Sequence, residues 1–152
     1  MLAAVQASAG FAGARCARSL DRVCARCWGL GAPASERARK DRTNMALQVG
    51  ELSIQLIETL QPMMSRIKAK DKDLENQLRR AATSIALNLG EGEYSDPGNR
   101  RARFCTASGS AGEVQKALRS AVAWKLIAAG DAEAAQRLVS RILGMLWKLT
   151  QG

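Results

Sequence analysis

The length of 152 residues leads us to expect one domain, and the formal charge of +9 favours nucleic acid or another anionic surface as a partner. The chain contains no histidine, which removes the commonest general base and the commonest metal ligand of proteins. Six aromatic residues are too few for a surface that stacks on successive bases, whereas the many Ala and Leu residues are typical of packed helices.

Residues 1–44 are assigned to an N-terminal extension, disordered or non-native, that lies outside the fold. Their eight Lys and Arg against three Asp and Glu resemble the composition of an organelle transit peptide. A misplaced start codon is the favoured interpretation, because Met45 opens the first convincing helical pattern. Cys24 and Cys27 have the spacing of a zinc or redox site, but neither a second pair nor a histidine completes four ligands. We therefore favour accidental spacing and expect no metal and no cofactor.

Four segments of residues 45–152 repeat apolar side chains at intervals of three and four residues, which predicts helices with one buried face each. The predicted helices span about 46–67, 72–89, 99–128 and 132–150. Helices of this length joined by short connections must alternate in direction, so the predicted fold class is all-α, an antiparallel up-down-up-down four-helix bundle. No apolar run approaches the roughly 20 residues of a transmembrane helix, and we expect a cytoplasmic protein with no membrane partner.

Single residues refine the predicted helix boundaries. Pro62 falls inside the first helical pattern and is expected to kink or shorten that helix, because proline removes a backbone donor. Asp71 or Asp73 is expected to cap helix two. Gly130 is expected to end helix three and Asp131 to cap helix four.

Helix two carries a polar column beside its apolar stripe, within an arc of about 80° by helical geometry. The members of this column are Gln77, Arg80, Ser84, Asn88 and Glu91. Such a column can be a hydrogen-bonded network that fixes register and oligomeric state. It can also be the solvated flank of an amphipathic helix, which is the commoner arrangement.

The run from Gln77 to Gly92, QLRRAATSIALNLGEG, is similar to the signature of a bacterial four-helix-bundle family encoded in ribosomal RNA intervening sequences. That family is related to the accessory variability determinant proteins of diversity-generating retroelements. A second family block, an aromatic followed by A-x-G-S-x-x-E and a leucine, is supplied downstream by Phe104, Ala107, Gly109, Ser110, Glu113 and Leu118. The resemblance implies a bundle that associates into a ring, typically a homopentamer, with no established catalytic activity. For the retroelement relatives it implies binding to nucleic acid and to a reverse transcriptase.

The resemblance favours a structural network as the role of the polar column, since its members coincide with the family signature. The residues predicted to have this structural role are Gln77, Arg80, Ser84, Asn88, Glu91, Gly92, Gly109, Ser110 and Glu113. The hypothesis pairs Arg80 with Glu113 between helices two and three, and breaking such a pair would cost about 3–5 kcal/mol if it were buried. Gly109 and Gly112 are helix-interior glycines, so we expect a neighbouring backbone to approach closely there.

The candidates for nucleic-acid binding are basic side chains that crowd the start of helix three, continue along it and form one stripe of helix four. They are Arg100, Arg101, Arg103, Lys116, Arg119, Arg137, Arg141 and Lys148. Arginines at the start of a helix interact unfavourably with the helix dipole. The cluster at the start of helix three is therefore expected to have a role other than stabilising that helix. Basic side chains neutralise phosphates without reading sequence, and a ring would multiply their field. The alternative is a charged surface that serves solubility alone.

Three classes of function remain open. The first is a non-enzymatic, self-assembling helical scaffold that binds nucleic acid, as an accessory factor to the reverse transcriptase of a diversity-generating retroelement. The second is a structural or protein-binding oligomer with no nucleic-acid role. The third, an enzyme, is the weakest, because the chain lacks a histidine, a metal set, a phosphate loop and a nucleophile with a base. We predict no catalytic residue.

Overall fold

Four α-helices make up the part of the chain that the computed structural model describes, residues 36–151. Helix α1 spans Glu36–Lys70, α2 spans Lys72–Glu93, α3 spans Pro97–Ala123 and α4 spans Ala129–Thr150. The helices pack in sequence order, consistent with an up-down bundle, and the all-α class is confirmed. None of the four has the length and apolarity that crossing a membrane requires.

Each helix buries one face, and the apolar stripes predicted from the sequence lie on these faces. The side chains that are almost wholly excluded from solvent include Leu56, Ile67, Leu78, Ile85, Leu89, Phe104, Leu118, Ile142 and Leu146. The stripe of α4 is rotated slightly from the predicted one, since Val139 is fully buried while Leu138 and Met145 are half-buried. Glu75 is the one charged side chain buried in this part of the protein, and it accepts hydrogen bonds from Arg79 one turn later.

Helix α1 is longer than predicted at both ends, because it begins at Glu36 rather than near residue 46 and ends at Lys70. Residues 36–44 had been assigned to the extension, and this is corrected: they form helical turns that precede Ala46, the first buried residue. Their charged residues form helix readily but show no apolar period. Residues 1–35, with Cys24 and Cys27, lie outside the described residues.

The helix continues through Pro62, so the expected shortening is wrong. Pro62 is exposed, and so is Glu58, the residue whose carbonyl loses its amide partner four positions earlier. Water can therefore satisfy that carbonyl, which reduces the cost of a proline inside the helix.

The connection between α2 and α3 is shorter than predicted, because α2 runs to Glu93 and α3 begins at Pro97. Asp96 caps α3 by accepting hydrogen bonds from the amides of Gly98 and Asn99, and proline occupies the first helical position. Asp71 caps α2 through the amide of Leu74, at 2.9 Å, as predicted.

The predicted boundary between α3 and α4 is wrong. Helix α3 ends at Ala123, and Gly130 and Asp131 lie in the first turn of α4 rather than before it. The chain reverses at Lys125, whose φ of 55° lies in the left-handed region. Asp131 does not cap α4, and instead its carboxylate accepts from Arg66 of α1 at 2.7 Å.

Acid is expected to remove the contribution of the Asp96 cap. The backbone and side-chain amides of Asn99 hold the pKa of this carboxyl below the ordinary range. A lowered pKa stabilises the fold above the ordinary aspartate value of about 3.9, and this stabilisation is lost as the pH falls through the folded-state pKa. We expect Asp96→Ala to lower the melting temperature at pH 7, with a smaller difference from the parent near pH 2. Asp73→Ala, which removes a carboxylate that does not cap α2, is the control, and a pH-independent effect of Asp96→Ala would contradict the cap.

Candidate functional site

A chain of polar contacts joins α2 to α3. The hydroxyls of Ser84 and Ser110 are 2.8 Å apart, and Ser110 is only 9% exposed. Asn88 donates from its side-chain amide to the carbonyl of Ser84 at 2.9 Å and to the Ser84 hydroxyl at 3.2 Å. Because each polar group is met by another, this seam avoids the cost of burying an unsatisfied hydroxyl.

Arg103 of α3 extends the chain of contacts back onto α2. Its guanidinium lies 2.7 Å from a carboxylate oxygen of Glu91 and donates to the amide oxygen of Asn88 at 3.5 Å. The contacts therefore run from Ser110 through Ser84 and Asn88 to Arg103 and Glu91, and we call these five residues the polar network. Three members of the predicted column take part in it.

The predicted pair of Arg80 with Glu113 is wrong. Both side chains are exposed, and neither forms an ion pair with any residue among 36–151. Together with Gln77 they line an open groove of about 880 Å³ between α2 and α3. The ion pair that joins the two helices is Arg103–Glu91, near the opposite end of α2.

The polar network predicts unequal effects of two substitutions in the same column. Ser84→Ala removes the partner of the buried Ser110 hydroxyl and is expected to destabilise the protein by about 1–3 kcal/mol. Arg80→Ala removes an exposed side chain with no ion pair among the described residues, and we expect the free energy of unfolding of the single chain to change by no more than about 0.5 kcal/mol. Urea denaturation of the two variants measures the difference. A larger loss for Arg80→Ala than for Ser84→Ala would contradict the assignment.

Gly92 and Phe104, one from each signature block, are steric partners. Gly92 is buried in the last turn of α2, and a Cβ atom there would lie 2.6 Å from a ring carbon of Phe104. Only glycine allows this approach. Gly109 and Gly112 differ, since a Cβ at either position would meet nothing within 4 Å, and the expected close approach of a neighbouring backbone is absent around them in residues 36–151.

Two of the basic residues predicted to bind nucleic acid form hydrogen bonds or ion pairs within the protein. Arg100 donates to the carbonyls of Gly92, Glu93 and Ser95, at 3.0 to 3.3 Å, and so satisfies carbonyls at the end of α2. Arg103 belongs to the polar network. These contacts supply the reason for arginines at the start of α3. The sequence carries a signal for the first of them, because Arg100 lies one turn before Phe104 on the buried side of the helix.

The other candidates are exposed. Arg137 forms an ion pair with Glu133 on the same helix, and Lys116 lines the groove between α2 and α3. The remaining four, which form no ion pair with any residue of 36–151, are Arg101 and Arg119 on α3 and Arg141 and Lys148 on α4. We call them the open cations. By helical geometry the two members of each pair lie within about 20° of one another around their helix.

Further basic residues, outside the predicted candidates, lie at the start of α1. Arg39 and Lys40 are exposed on the turns that precede the core. They were overlooked because this segment was not expected to be helical. The signal available was its content of strong helix formers, without apolar periodicity.

The described part of the protein offers no cluster for metal chemistry. Among residues 36–151, no group of three Cys, Asp or Glu side chains is arranged to hold a metal ion. Cys105 is an exposed free thiol on α3.

These features define a class: a four-helix protein whose second and third helices are joined by a polar network and a glycine–phenylalanine contact. The model of the 23S rRNA-intervening sequence protein family matches residues 45–148, and the chain belongs to that family. No curated protein and no solved structure matches the chain. The matched range contains both signature blocks, and Ser84 with Ser110 and Gly92 with Phe104 are contacts between these blocks.

Proposed function

We propose that the protein is a non-enzymatic scaffold that assembles with itself into a ring of five chains and binds nucleic acid through the open cations. The observation that carries this proposal is the contrast between basic residues with and without partners. Arg66, Arg79, Arg103 and Arg137 form ion pairs within residues 36–151, whereas the open cations do not. A cation that forms no ion pair among residues 36–151 is available to a phosphate.

The charge balance supports an anionic partner. Residues 36–151 hold nineteen Lys and Arg against thirteen Asp and Glu, so the positive charge is not confined to the N-terminal segment. A ring repeats this charge in every subunit, which strengthens the field and the rate of encounter with a polyanion. The proposal places the protein in the cytoplasm, where nucleic acid is accessible.

The exposed aromatic side chains among residues 36–151 are Tyr94, Trp124 and Trp147, and Tyr94, which follows α2, is the most exposed at 93%. Trp124 is 77% exposed just after α3, and Trp147 is 62% exposed near the end of α4. They are separated by most of the length of α4, about 27 Å at 1.5 Å per residue. A stacking platform needs aromatic rings spaced for successive bases, and the two tryptophans are too far apart to form one. The proposal therefore relies on contacts of basic side chains with phosphates, which do not read base sequence.

For the retroelement branch of the family, the proposed role is that of accessory factor to a reverse transcriptase. A reverse-transcriptase gene and a variable repeat beside the gene of this protein would support that branch. A gene within a ribosomal RNA intervening sequence, with neither neighbour, would contradict it and leave the scaffold proposal intact.

A salt titration tests nucleic-acid binding. We expect the association constant for an RNA duplex to fall linearly with salt on logarithmic axes, with a slope of roughly −0.9 for each phosphate neutralised, a value established for B-DNA. Fluorescence anisotropy of a labelled duplex measures it. An affinity that does not change between 50 and 200 mM salt would contradict phosphate contact.

The second candidate function is a structural or protein-binding oligomer without a nucleic-acid role. The observation that favours it is the exposure of large apolar side chains on α1, Leu47 and Ile54, each about half exposed. Assembly that persists together with no RNA binding at 50 mM salt would select this candidate.

A further inference from the structure

The outer face of α1 presents an apolar and acidic ridge. Leu47 is 53% exposed and Ile54 is 48% exposed, and the exposed carboxylates of Glu51 and Glu58 alternate with them at helical spacing. By helical geometry these four residues lie roughly opposite the centre of the buried face, so no other helix of the bundle covers them. We call them the α1 ridge. Large apolar side chains placed directly away from the core add nothing to the packing of the four described helices.

The groove between α2 and α3 has complementary properties. Its base is formed by small side chains, among them Ala81, Ser84 and Ser110, and Arg80 and Lys116 supply positive charge along its length. Glu113 is the only carboxylate among the residues that line it. Gly112 also lines the groove and faces open space, so no side chain fills that position.

The two surfaces match in length as well as in charge. The α1 ridge spans eleven residue steps, about 17 Å. The groove extends from Leu74 to Ser84 on α2 and from Ser110 to Ser120 on α3, about 15 Å on each helix. The ridge carries two negative charges and no positive charge, whereas the groove carries a positive excess. A helix laid into this groove would bring apolar side chains onto small ones and carboxylates towards Arg80 and Lys116.

We propose that the α1 ridge of one chain docks into the α2–α3 groove of a second copy. This inference rests on the proposed self-assembly and names the surfaces that carry it. Because ridge and groove are different surfaces, the contact is heterologous, and each copy that has docked its ridge still offers its groove. Such a contact closes into a ring when the rotation between neighbours divides a full turn. Lys116 then faces the neighbouring subunit rather than nucleic acid.

Two single substitutions disable one surface each. Ile54→Lys places a positive charge on the ridge, opposite the basic groove. Gly112→Trp fills the groove, and its Cβ meets no atom of its own chain within 4 Å. The matched controls are Leu87→Lys, at an exposed leucine of α2, and Gly144→Trp, at a glycine of α4 that also faces open space. Circular dichroism of each variant verifies the fold, and Arg80→Glu replaces Gly112→Trp if the tryptophan variant does not fold.

Native mass spectrometry gives the result. We expect the parent and both control variants to form the ring, and Ile54→Lys and Gly112→Trp each to give the 16.3 kDa monomer. Mixing the two monomeric variants should produce a dimer of twice that mass and nothing larger. In that mixture the intact ridge of Gly112→Trp meets the intact groove of Ile54→Lys, and both remaining surfaces are disabled.

The outcomes separate this inference from the proposed function. A monomeric parent would overturn self-assembly itself. If both substitutions leave the ring intact, the ridge and groove are not its interface, although self-assembly would stand. A groove that binds a different protein predicts this result. Monomeric variants that do not combine on mixing would overturn the pairing of these two surfaces.

Discussion

Phe104→Ala is expected to lower the free energy of unfolding by about 3–5 kcal/mol. It should also change a second substitution, Gly92→Ala, from destabilising to neutral or stabilising. The Phe104 ring is 2% exposed and lies where α2 ends against the start of α3. In the parent, a Cβ on Gly92 would lie 2.6 Å from this ring, which is held on all sides and cannot move cheaply. Gly92→Ala should therefore destabilise the parent by about 1–3 kcal/mol, although alanine is the better helix former.

In the Phe104→Ala background the same Gly92→Ala substitution should become neutral or stabilising. The ring that its methyl group would strike is gone, and alanine costs about 1 kcal/mol less than glycine inside a helix. A double-mutant cycle by urea denaturation measures the coupling between the two positions. Gly90→Ala is the control, because a Cβ there meets nothing within 4 Å, and it should stabilise both backgrounds. An equal cost of Gly92→Ala in both backgrounds would show that the ring is not what restricts this position.

Reversing the open cations is expected to abolish most nucleic-acid binding. Arg101→Glu with Arg119→Glu removes the pair on α3, and Arg141→Glu with Lys148→Glu removes the pair on α4. Each lost phosphate contact should reduce the slope of log affinity against log salt by roughly 1. If the duplex contacts several subunits of the ring, each double variant should weaken binding at least about tenfold at low salt. The loss of cations repeats in every subunit that contacts the duplex.

The control for this prediction is the variant that carries Lys68→Glu and Lys72→Glu. These lysines are exposed near the connection of α1 and α2, and their reversal changes the net charge by the same amount. If position matters, the control should lose less affinity than either double variant and keep most of the salt slope. If the control weakens binding as much, then affinity follows net charge and the open cations have no special role.

The fold could be predicted from the sequence because its signals are local. Apolar side chains at a period of 3.6 residues mark a helix wherever they occur, and Asp71 supplies a cap that depends on three neighbouring residues. The start of α1 was missed because its first turns are polar on every side, so periodicity marks no helix there. The α3–α4 boundary was misplaced because Gly130 and Asp131 look like a stop and a cap, whereas the reversal depends on Lys125 in a left-handed conformation that no local pattern indicates.

The candidate site was predicted only in part, and the reason is non-local. Helical geometry predicts that Ser84, Asn88 and Glu91 share one flank of α2, and in the structure this flank meets α3. Which cation meets that flank depends on the rotation and axial position of α3 against α2, and the sequence does not encode these in any single segment. Arg80 was therefore paired with Glu113, although the structure pairs Arg103 with Glu91.

Native mass spectrometry of the full chain, mixed with a short RNA duplex at low salt, tests ring assembly and RNA binding together. A single spectrum reports both. We expect a dominant species of five 16.3 kDa chains together with RNA, and release of the RNA without loss of the ring as salt rises. A spectrum of single chains, free of RNA at low salt, would contradict this expectation.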